Sequence, residues 1–314
     1  MYVNSTPTDL SFRGEIEDAY LKDWISDSST WDSMSVYKAA ADLLPIQRGH
    51  THVDFGTGLA HLPEALLNKE PNARILATER GQNMFRAACD RLSERNTPFS
   101  YHNVVATTTR NTGVTIDCED SEQLDWLRAQ RNGIVLLRDD MRANSILSGV
   151  LGDSQIDSAS HTFPGTSLEV AFSDGLVTAE QLSTGDSELI RGLHQKTDDI
   201  YQCARGSMLE ILNNIMKPRG IYLEVDRTDI PHGYLQPNFP SNQLRQALSD
   251  HSLSSRFNIA ECWTAVDAGI LLEDVESIQQ VDQFLDGERA EAHPNFTNCI
   301  TYVAWERNDS PASK

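Results

Sequence analysis

Residues 51–67 read THVDFGTGLAHLPEALL, and the hydrophobic pattern changes twice within them. The first residues alternate apolar and polar side chains, the middle holds Gly56 and Gly58, and leucines then recur at helical spacing. Glycine lets the backbone turn tightly and approach a ligand with no Cβ in between. The stretch therefore predicts a strand, a loop that faces a ligand, and a helix.

Asp54, just before this loop, restricts the ligands that could bind there. A helix start offers unpaired N–H groups and a positive dipole end, but a neighbouring carboxylate disfavours a diphosphate and suits a cationic or hydroxyl-bearing ligand. The dinucleotide fingerprint Gly-x-Gly-x-x-Gly would also require glycine where this chain has His61. The loop therefore points away from dinucleotides.

The composition predicts a soluble, acidic protein of the cytoplasm. The chain has 314 residues, five cysteines and a formal net charge of -20. No stretch approaches the roughly 20 apolar residues of a membrane span, and the odd, widely spaced cysteines indicate neither a disulfide framework nor a zinc site. The negative charge disfavours a broad nucleic-acid or membrane surface. Scarce lysine beside abundant Asp and Glu would fit a salt-adapted source.

Apolar and β-branched runs predict further strands along the chain, and helical periodicity predicts the segments between them. The predicted strands after the first are 74–78, 133–137, 154–164 (with its exit loop), 221–225, 257–266 and 299–306. The predicted helices are 15–24, 36–44, 85–92, 122–131, 200–216 and 243–251. The alternating residues 99–117 predict a hairpin with its turn near Asn111 and Gly113.

Two motifs resemble those of the class I S-adenosylmethionine-dependent methyltransferases. The order Asp54 to Gly58 after a strand resembles the first motif of that family, with Ala60 where a third glycine often stands. The turn from Lys217 to Gly220 resembles the entry to the fifth strand, where we expect the glycine to adopt a conformation that other residues avoid. The resemblance implies an α/β fold: a seven-stranded, mostly parallel sheet with helices on both faces, an antiparallel last strand, an N-terminal helical extension and inserted segments.

The resemblance also divides the chain. Residues 1–48 would form a helical extension or lid, and residues 49–307 a methyltransferase-like domain with insertions near 97–131 and 165–195. Residues 308–314 are expected to be a disordered tail. Tyr37, in the second helix of the extension, is expected either to line the lid or to lie in the core, as aromatic residues at helical spacing more often do.

S-adenosylmethionine is the cofactor that the resemblance implies. Asp54, Gly56 and Gly58 would hold its methionine end, Glu79 its ribose, and Asp140 its adenine amino group with Met141 packed on the ring. Asp139 is one residue away and is the alternative to Asp140. The full predicted cofactor set is Asp54, Phe55, Gly56, Thr57, Gly58, Glu79, Asp140, Met141 and Ser160. No metal ligands are predicted.

The implied reaction moves a methyl group to an oxygen or nitrogen of an acceptor. The fourth-strand exit has neither the Asn-Pro-Pro-aromatic nor the Asp-Pro-Pro-aromatic motif, which disfavours base amino groups and glutamine amides as acceptors. A small molecule is therefore the predicted acceptor, with RNA or protein as weaker alternatives. His161 is the candidate general base, with His232 behind it. A catalytically silent methyltransferase-like subunit and a nicotinamide-linked oxidoreductase stay open as alternatives.

Overall fold

The computed structural model describes residues 25, 28, 29, 32, 36–79, 82–102, 106–109, 113–116, 125, 128–139, 147, 150, 151, 156–162, 208–229, 257–266 and 298–308. The helices are α1 (Val36–Leu43), α2 (His61–Lys69) and α3 (Gln82–Glu94). The strands are β1 (Thr51–Phe55), β2 (Arg74–Thr78), β3 (Phe99–His102), β4 (Ala106–Thr109), β5 (Gly113–Ile116), β6 (Gly133–Leu137), β7 (Ile156–Thr162), β8 (Met216–Asp229), β9 (Phe257–Val266) and β10 (Asn298–Arg307).

One large sheet organises these elements in the order β3-β6-β2-β1-β7-β8-β10-β9. Strand β10 is antiparallel to both of its neighbours, and the remaining pairs are parallel. Apart from β3, the strands match the seven that the sequence predicts, and the late reversed strand lies between β8 and β9. The predicted α/β class, with its mostly parallel sheet and antiparallel last strand, is confirmed.

The predicted hairpin over 99–117 is only partly correct. Strands β4 and β5 pair antiparallel around the predicted turn as a separate two-stranded sheet. Strand β3 instead runs parallel to β6 at the edge of the main sheet and makes it eight-stranded. Alternation in a sequence identifies a strand but not its partner, and the half-buried Phe99 packs against the main core. The first residues of this segment therefore belong to the main sheet.

Helices cover both faces of the main sheet. On one face, α1, α2 and α3 pack on side chains of alternate sheet positions in a single hydrophobic cluster. The opposite face buries Phe55, Tyr222 and Trp305. Residues 208–215 are helical, and the Tyr222 hydroxyl lies 4.0 Å from the sulfur of Met208. The central strands are buried on both sides, which explains their nearly continuous apolar sequences.

Helix α1 is fastened to α2 by a lysine. The Lys69 ammonium group donates hydrogen bonds to the carbonyl oxygens of Ala41 at 2.8 Å, Asp42 at 3.1 Å and Leu44 at 2.9 Å. The last carbonyls of a helix have no partner within the helix, and the dipole there favours a cation. Tyr37 is buried in the core, so this residue follows the core expectation rather than the lid expectation.

The turn before the fifth predicted strand differs from the prediction in one respect. The left-handed residue is Arg219, with φ 63°, whereas the resemblance predicts that conformation for Gly220. The prediction for Gly220 was therefore wrong. Glycine is required at 220 for space, because a Cβ there would lie 2.5 Å from Cγ of Met216 and 2.9 Å from the Lys217 carbonyl oxygen. Strand β8 already begins at Met216 and has an irregularity before Ile221.

Several predicted segments lie outside the described residues. They are most of the N-terminal extension before Val36, the insertion near 165–195, the helix at 243–251 and the tail after Asn308. In the part of the chain that is described, no helix has the length and apolar character of a membrane span.

A buried glutamate joins α2 to α3. The carboxylate of Glu64 accepts hydrogen bonds from Arg91 at 2.5 Å, from Arg95 at 2.8 Å and from Thr97 at 2.7 Å. Burial alone would raise the pKa of Glu64, but the bonds from Thr97, Arg95 and Arg91 hold it below its ordinary value. This cluster therefore fixes α2, which follows the glycine loop, against α3, which follows β2.

Glu64→Gln should lower the free energy of unfolding by about 2 kcal/mol at neutral pH, because charge-assisted hydrogen bonds are lost and two arginines lose their counter-charge. A depressed carboxylate pKa stabilises the fold above the unfolded pKa, and that stabilisation is lost as the pH falls. The difference between parent and variant should therefore shrink below about pH 4.5. Denaturant titration across pH measures it, with the exposed Glu94→Gln as control. An equal effect of both substitutions would contradict the assignment.

Candidate functional site

The loop after β1 turns through three left-handed residues. Gly56 has φ 60°, Gly58 has φ 55° and Ala60 has φ 61°. The N–H of Thr57 donates to the carbonyl oxygen of Thr78 at 2.8 Å, which ties the loop to the end of β2. The loop then enters α2 with Ala60 as its N-cap residue, which provides no side-chain cap. Its glycine positions are therefore those at which the backbone conformation favours glycine.

Glu79 joins this loop to two strand ends. The N–H of Gly58 donates to Oε2 of Glu79 at 3.0 Å, and the N–H of Glu79 donates to the carbonyl oxygen of Leu137 at 3.0 Å. The ends of β1, β2 and β6 are thereby held side by side. The structure thus brings together Glu79 and the glycine loop, as the sequence predicts.

Asp139 and Asp140 were the alternative residues at the end of β6. Asp139 is buried, and its carboxylate accepts a hydrogen bond from the N–H of Leu147 at 2.7 Å. Asp140 and Met141 lie outside the described residues. Asp139 therefore has a structural contact within the chain, and the assignment of Asp140 and Met141 to the adenine stays a prediction.

Asp54 is fully buried near the end of β1. The hydroxyl of Ser160 donates to its Oδ1 at 2.5 Å, whereas its Oδ2 has no hydrogen-bond partner among the described residues. Burial raises the pKa of Asp54 to about 6, and the hydroxyls of Ser160 and Thr57 act in the opposite direction. The Thr57 hydroxyl acts at longer range, since its oxygen also lacks a hydrogen-bond partner in the described part. One buried carboxylate oxygen is thus left for a ligand.

His52, which is not among the residues predicted from the sequence, continues this network. Nε2 of His52 lies 2.8 Å from the hydroxyl oxygen of Ser160, and its Nδ1 lies 2.8 Å from that of Ser158. His52 is 0% exposed, and burial lowers its pKa to about 3. In the parallel register His52 is opposite Ser158 and Asp54 is opposite Ser160, so all four side chains share one face of the sheet.

His161 lies on the other face. It is 1% exposed, follows Ser160 on β7, and has Phe55 and Glu224 as its register neighbours. Glu224 accepts hydrogen bonds from the Tyr222 hydroxyl and from Nε1 of Trp305, each at 3.0 Å. The structure therefore places the candidate base at the same edge as Asp54 but across the sheet from it. Its role as a base stays a prediction.

The strand order and the loop define the class of fold. From β1 the strand order continues to β2 and β6 on one side and to β7 and β8 on the other, so the order switches between β1 and β7. Ligands of open α/β sheets bind outside the carboxyl ends of the strands at such a switch point. A strand, a glycine loop and a helix at this point, with the reversed strand β10 between β8 and β9, make up the class I methyltransferase fold. The resemblance to that class is thus confirmed for the fold.

Comparisons with known proteins found similarity in structure, but no match among protein families or curated sequences. A chain of a Haloferax volcanii complex that contains the Trm112 methyltransferase activator matches with a TM-score of 0.47 and 13% identity, over 95% of this chain and 99% of that one. The precorrin-6y C5,15-methyltransferase of Geobacter metallireducens GS-15 matches with a TM-score of 0.41 and 12% identity, over 86% of each chain.

A third solved structure to which this chain is similar is named for a cyclase. The [4+2]-cyclase SpnF matches with a TM-score of 0.43 and 10% identity, over 88% of this chain and 81% of that one. Likenesses of this size carry no argument about activity or substrate, because function depends on the site and not on the fold. The function of this chain has to be inferred from its own residues.

Asp54→Asn should reveal the cost of the buried charge. A carboxylate whose pKa is raised from 3.8 to about 6 on folding loses stability as the pH rises through that window. The parent should therefore lose on the order of 2 kcal/mol relative to the variant between about pH 4 and pH 7, since only the parent must ionise a buried group. Denaturant titrations of both proteins measure this difference. The exposed Asp42→Asn is the control, and parallel pH curves for parent and Asp54→Asn would contradict the burial argument.

Proposed function

We propose that this chain is an S-adenosylmethionine-dependent methyltransferase that acts in the cytoplasm. The observation that carries the proposal is the set of acidic groups around the glycine loop. Glu79 is hydrogen-bonded to Gly58 in the loop, and the buried Oδ2 of Asp54 has no partner among the described residues. Two carboxylates at one loop suit a ligand with hydroxyl donors and a positive charge, and they disfavour a diphosphate.

The chemical groups of S-adenosylmethionine fit this set of residues. It has a ribose diol, an ammonium group and a positively charged sulfonium, and when bound it supplies an electrophilic methyl group. Asp54 and the loop residues Phe55, Gly56, Thr57 and Gly58 would hold its methionine end. Glu79 would accept hydrogen bonds from the ribose hydroxyls, and Asp140 and Met141 would contact the adenine. Ser160 would act through Asp54, to which its hydroxyl donates.

The protein's part in such a reaction is mainly alignment. Methyl transfer from a sulfonium requires the acceptor atom to lie in line with the breaking bond, so no residue nucleophile is needed. The fixed strand ends at β1, β2 and β6 provide a rigid support for that alignment. Where the acceptor carries a proton that must leave, a base at the carboxyl edge of the sheet would remove it.

Calorimetric titration with S-adenosylmethionine, S-adenosylhomocysteine and oxidised nicotinamide adenine dinucleotide tests the proposal. We expect both sulfur compounds to bind with one site per chain and the dinucleotide not to bind. Binding of the dinucleotide alone would replace the proposal with a nicotinamide-linked oxidoreductase. Binding of none of the three would overturn it.

Glu79→Ala should weaken S-adenosylhomocysteine binding by about tenfold to a hundredfold, because a charge-assisted hydrogen bond to the ribose contributes about 1.5 to 3 kcal/mol. Glu79→Gln keeps one acceptor oxygen and should cost less. Calorimetry measures both affinities, and thermal unfolding checks that the loss of the bond from Gly58 leaves the fold intact. Equal affinities for Ala and Gln variants would remove the carboxylate from the ribose site.

We further propose a small molecule as the acceptor, with an oxygen or nitrogen nucleophile. The net charge of -20 opposes binding to a phosphate backbone. The sequence 154–164, which contains β7, also lacks the motifs of enzymes that methylate base amino groups or glutamine amides. RNA and protein are the weaker alternatives. His161 at the carboxyl end of β7 is the proposed base.

Incubation with methyl-labelled donor and fractionated cell extract tests the acceptor class. We expect label in the metabolite fraction, and we expect His161→Ala to lower turnover by roughly 10²- to 10⁴-fold while donor affinity in calorimetry is unchanged. Full turnover in the variant would exclude His161 as the base. Label confined to RNA or protein would overturn the small-molecule proposal. Donor binding without label in any fraction would indicate a silent, donor-binding subunit.

A further inference from the structure

Four polar side chains form a continuous network inside an apolar face of the sheet. Ser158, His52, Ser160 and Asp54 alternate between β7 and β1, and each is 0% exposed. The neighbouring positions on this face, on β2, β6 and β8, belong to the hydrophobic cluster beneath α1, α2 and α3. Buried polar groups cost free energy unless they are hydrogen-bonded, so a network at this position requires a reason.

The hydrogen bonds determine where each proton lies. When Asp54 is ionised, as it is at neutral pH with a pKa of about 6, its Oδ1 can only accept, and the single proton of the Ser160 hydroxyl is donated to it. Nε2 of His52 must therefore carry a proton and donate it to the Ser160 oxygen. Nδ1 of the neutral ring is then an acceptor, and the hydroxyl of Ser158 donates to it. All three donors point toward Asp54, and such chains polarise one another in the same direction.

We propose that His52 is a positioning residue for cofactor binding, which acts through Ser160 to hold the Asp54 carboxylate in one orientation with Oδ2 left for the ligand. The role of His52 in cofactor binding rests on the proposed function, whereas the hydrogen-bond chain does not. Because the Ser160 hydroxyl cannot donate to Nε2 and to Asp54 at once, the histidine tautomer decides which of these two groups accepts its proton. The Nε2–H tautomer commits the Ser160 proton to the carboxylate.

A direct role of His52 in proton transfer does not fit this geometry. Both ring nitrogens of His52 are within hydrogen-bond distance of serines inside the sheet, so both are already occupied. The low pKa of about 3 keeps the ring neutral, which suits a fixed donor and acceptor rather than a base. His52 also lies two residues before Asp54 on β1 and is therefore further from the carboxyl end of the strand. His52 therefore acts on the ligand only through Asp54.

The first test is nitrogen-15 NMR of the histidine rings in the ligand-free parent protein at neutral pH. We expect the His52 ring in the Nε2–H tautomer, with Nδ1 unprotonated. The signal is assigned by its loss in a His52 variant. An Nδ1–H tautomer or a doubly protonated ring would overturn the hydrogen-bond chain, whether or not any ligand binds.

The second test compares two amide replacements. His52→Gln places an amide N–H near the position of Nε2, whereas His52→Asn reaches only the position of Nδ1. We expect His52→Gln to retain S-adenosylhomocysteine affinity within about threefold and His52→Asn to lose about tenfold or more, since a hydrogen bond that orients a charged group contributes about 1.5 kcal/mol. Equal affinities for the two variants, or weaker binding by His52→Gln, would overturn the positioning role.

Thermal unfolding of both variants separates binding from folding. If neither variant folds, the same comparison is made with Ser160→Ala and Ser160→Thr, since threonine keeps the hydroxyl that donates to Asp54. Affinity retained by Ser160→Ala would then overturn the proposal. If the parent itself does not bind S-adenosylhomocysteine, both the proposed function and the role of His52 in cofactor binding are overturned. Parent binding together with the wrong tautomer would overturn the hydrogen-bond chain alone.

Discussion

The buried carboxylate of Asp54 is the constraint on which the centre of the sheet depends. A charge without exposure to water must be compensated by hydrogen bonds, and Ser160 provides one from the adjacent parallel strand. A slip of one residue between β1 and β7 would bring Ala159 or His161 opposite Asp54 and turn the serines to the other face. The same contact therefore sets the register at the sheet's switch point and fixes the group proposed to hold the ligand.

Much of the fold could be predicted because the central strands are buried on both faces. The apolar runs 74–78 and 133–137 have the same bounds as β2 and β6, and both strands are buried. Such runs stand out in a sequence since neither face can carry polar side chains. Pairing was the part that could not be predicted. The residues of β3 look like half of a hairpin, and only their long-range contact with β6 makes them an edge strand.

The sequence predicted the parts of the site that follow from local geometry, and it missed those that follow from pairing. Asp54, Glu79 and the two glycines were selected because each stands at a strand end or in a tight turn. His52 and Ser158 contact each other only through the register of β1 and β7, although they are 106 positions apart in the chain. A signal was present: both strands carry polar residues two positions apart, at 52 and 54 and at 158 and 160. That period places them on one face, but only the register makes them partners.

The alanine at position 60 illustrates how a departure from the family pattern can be absorbed. Ala60 has φ 61°, a conformation that costs a residue with a Cβ about 1 to 2 kcal/mol. Its side chain is also 0% exposed and belongs to the hydrophobic core cluster, where a buried methyl group contributes about 0.8 kcal/mol. Alanine further restricts the unfolded chain relative to glycine, by about 0.4 to 1 kcal/mol. These effects offset the strain, so the loop keeps its left-handed turn without a third glycine. The departure at Ala60 therefore leaves the geometry of the proposed binding loop intact.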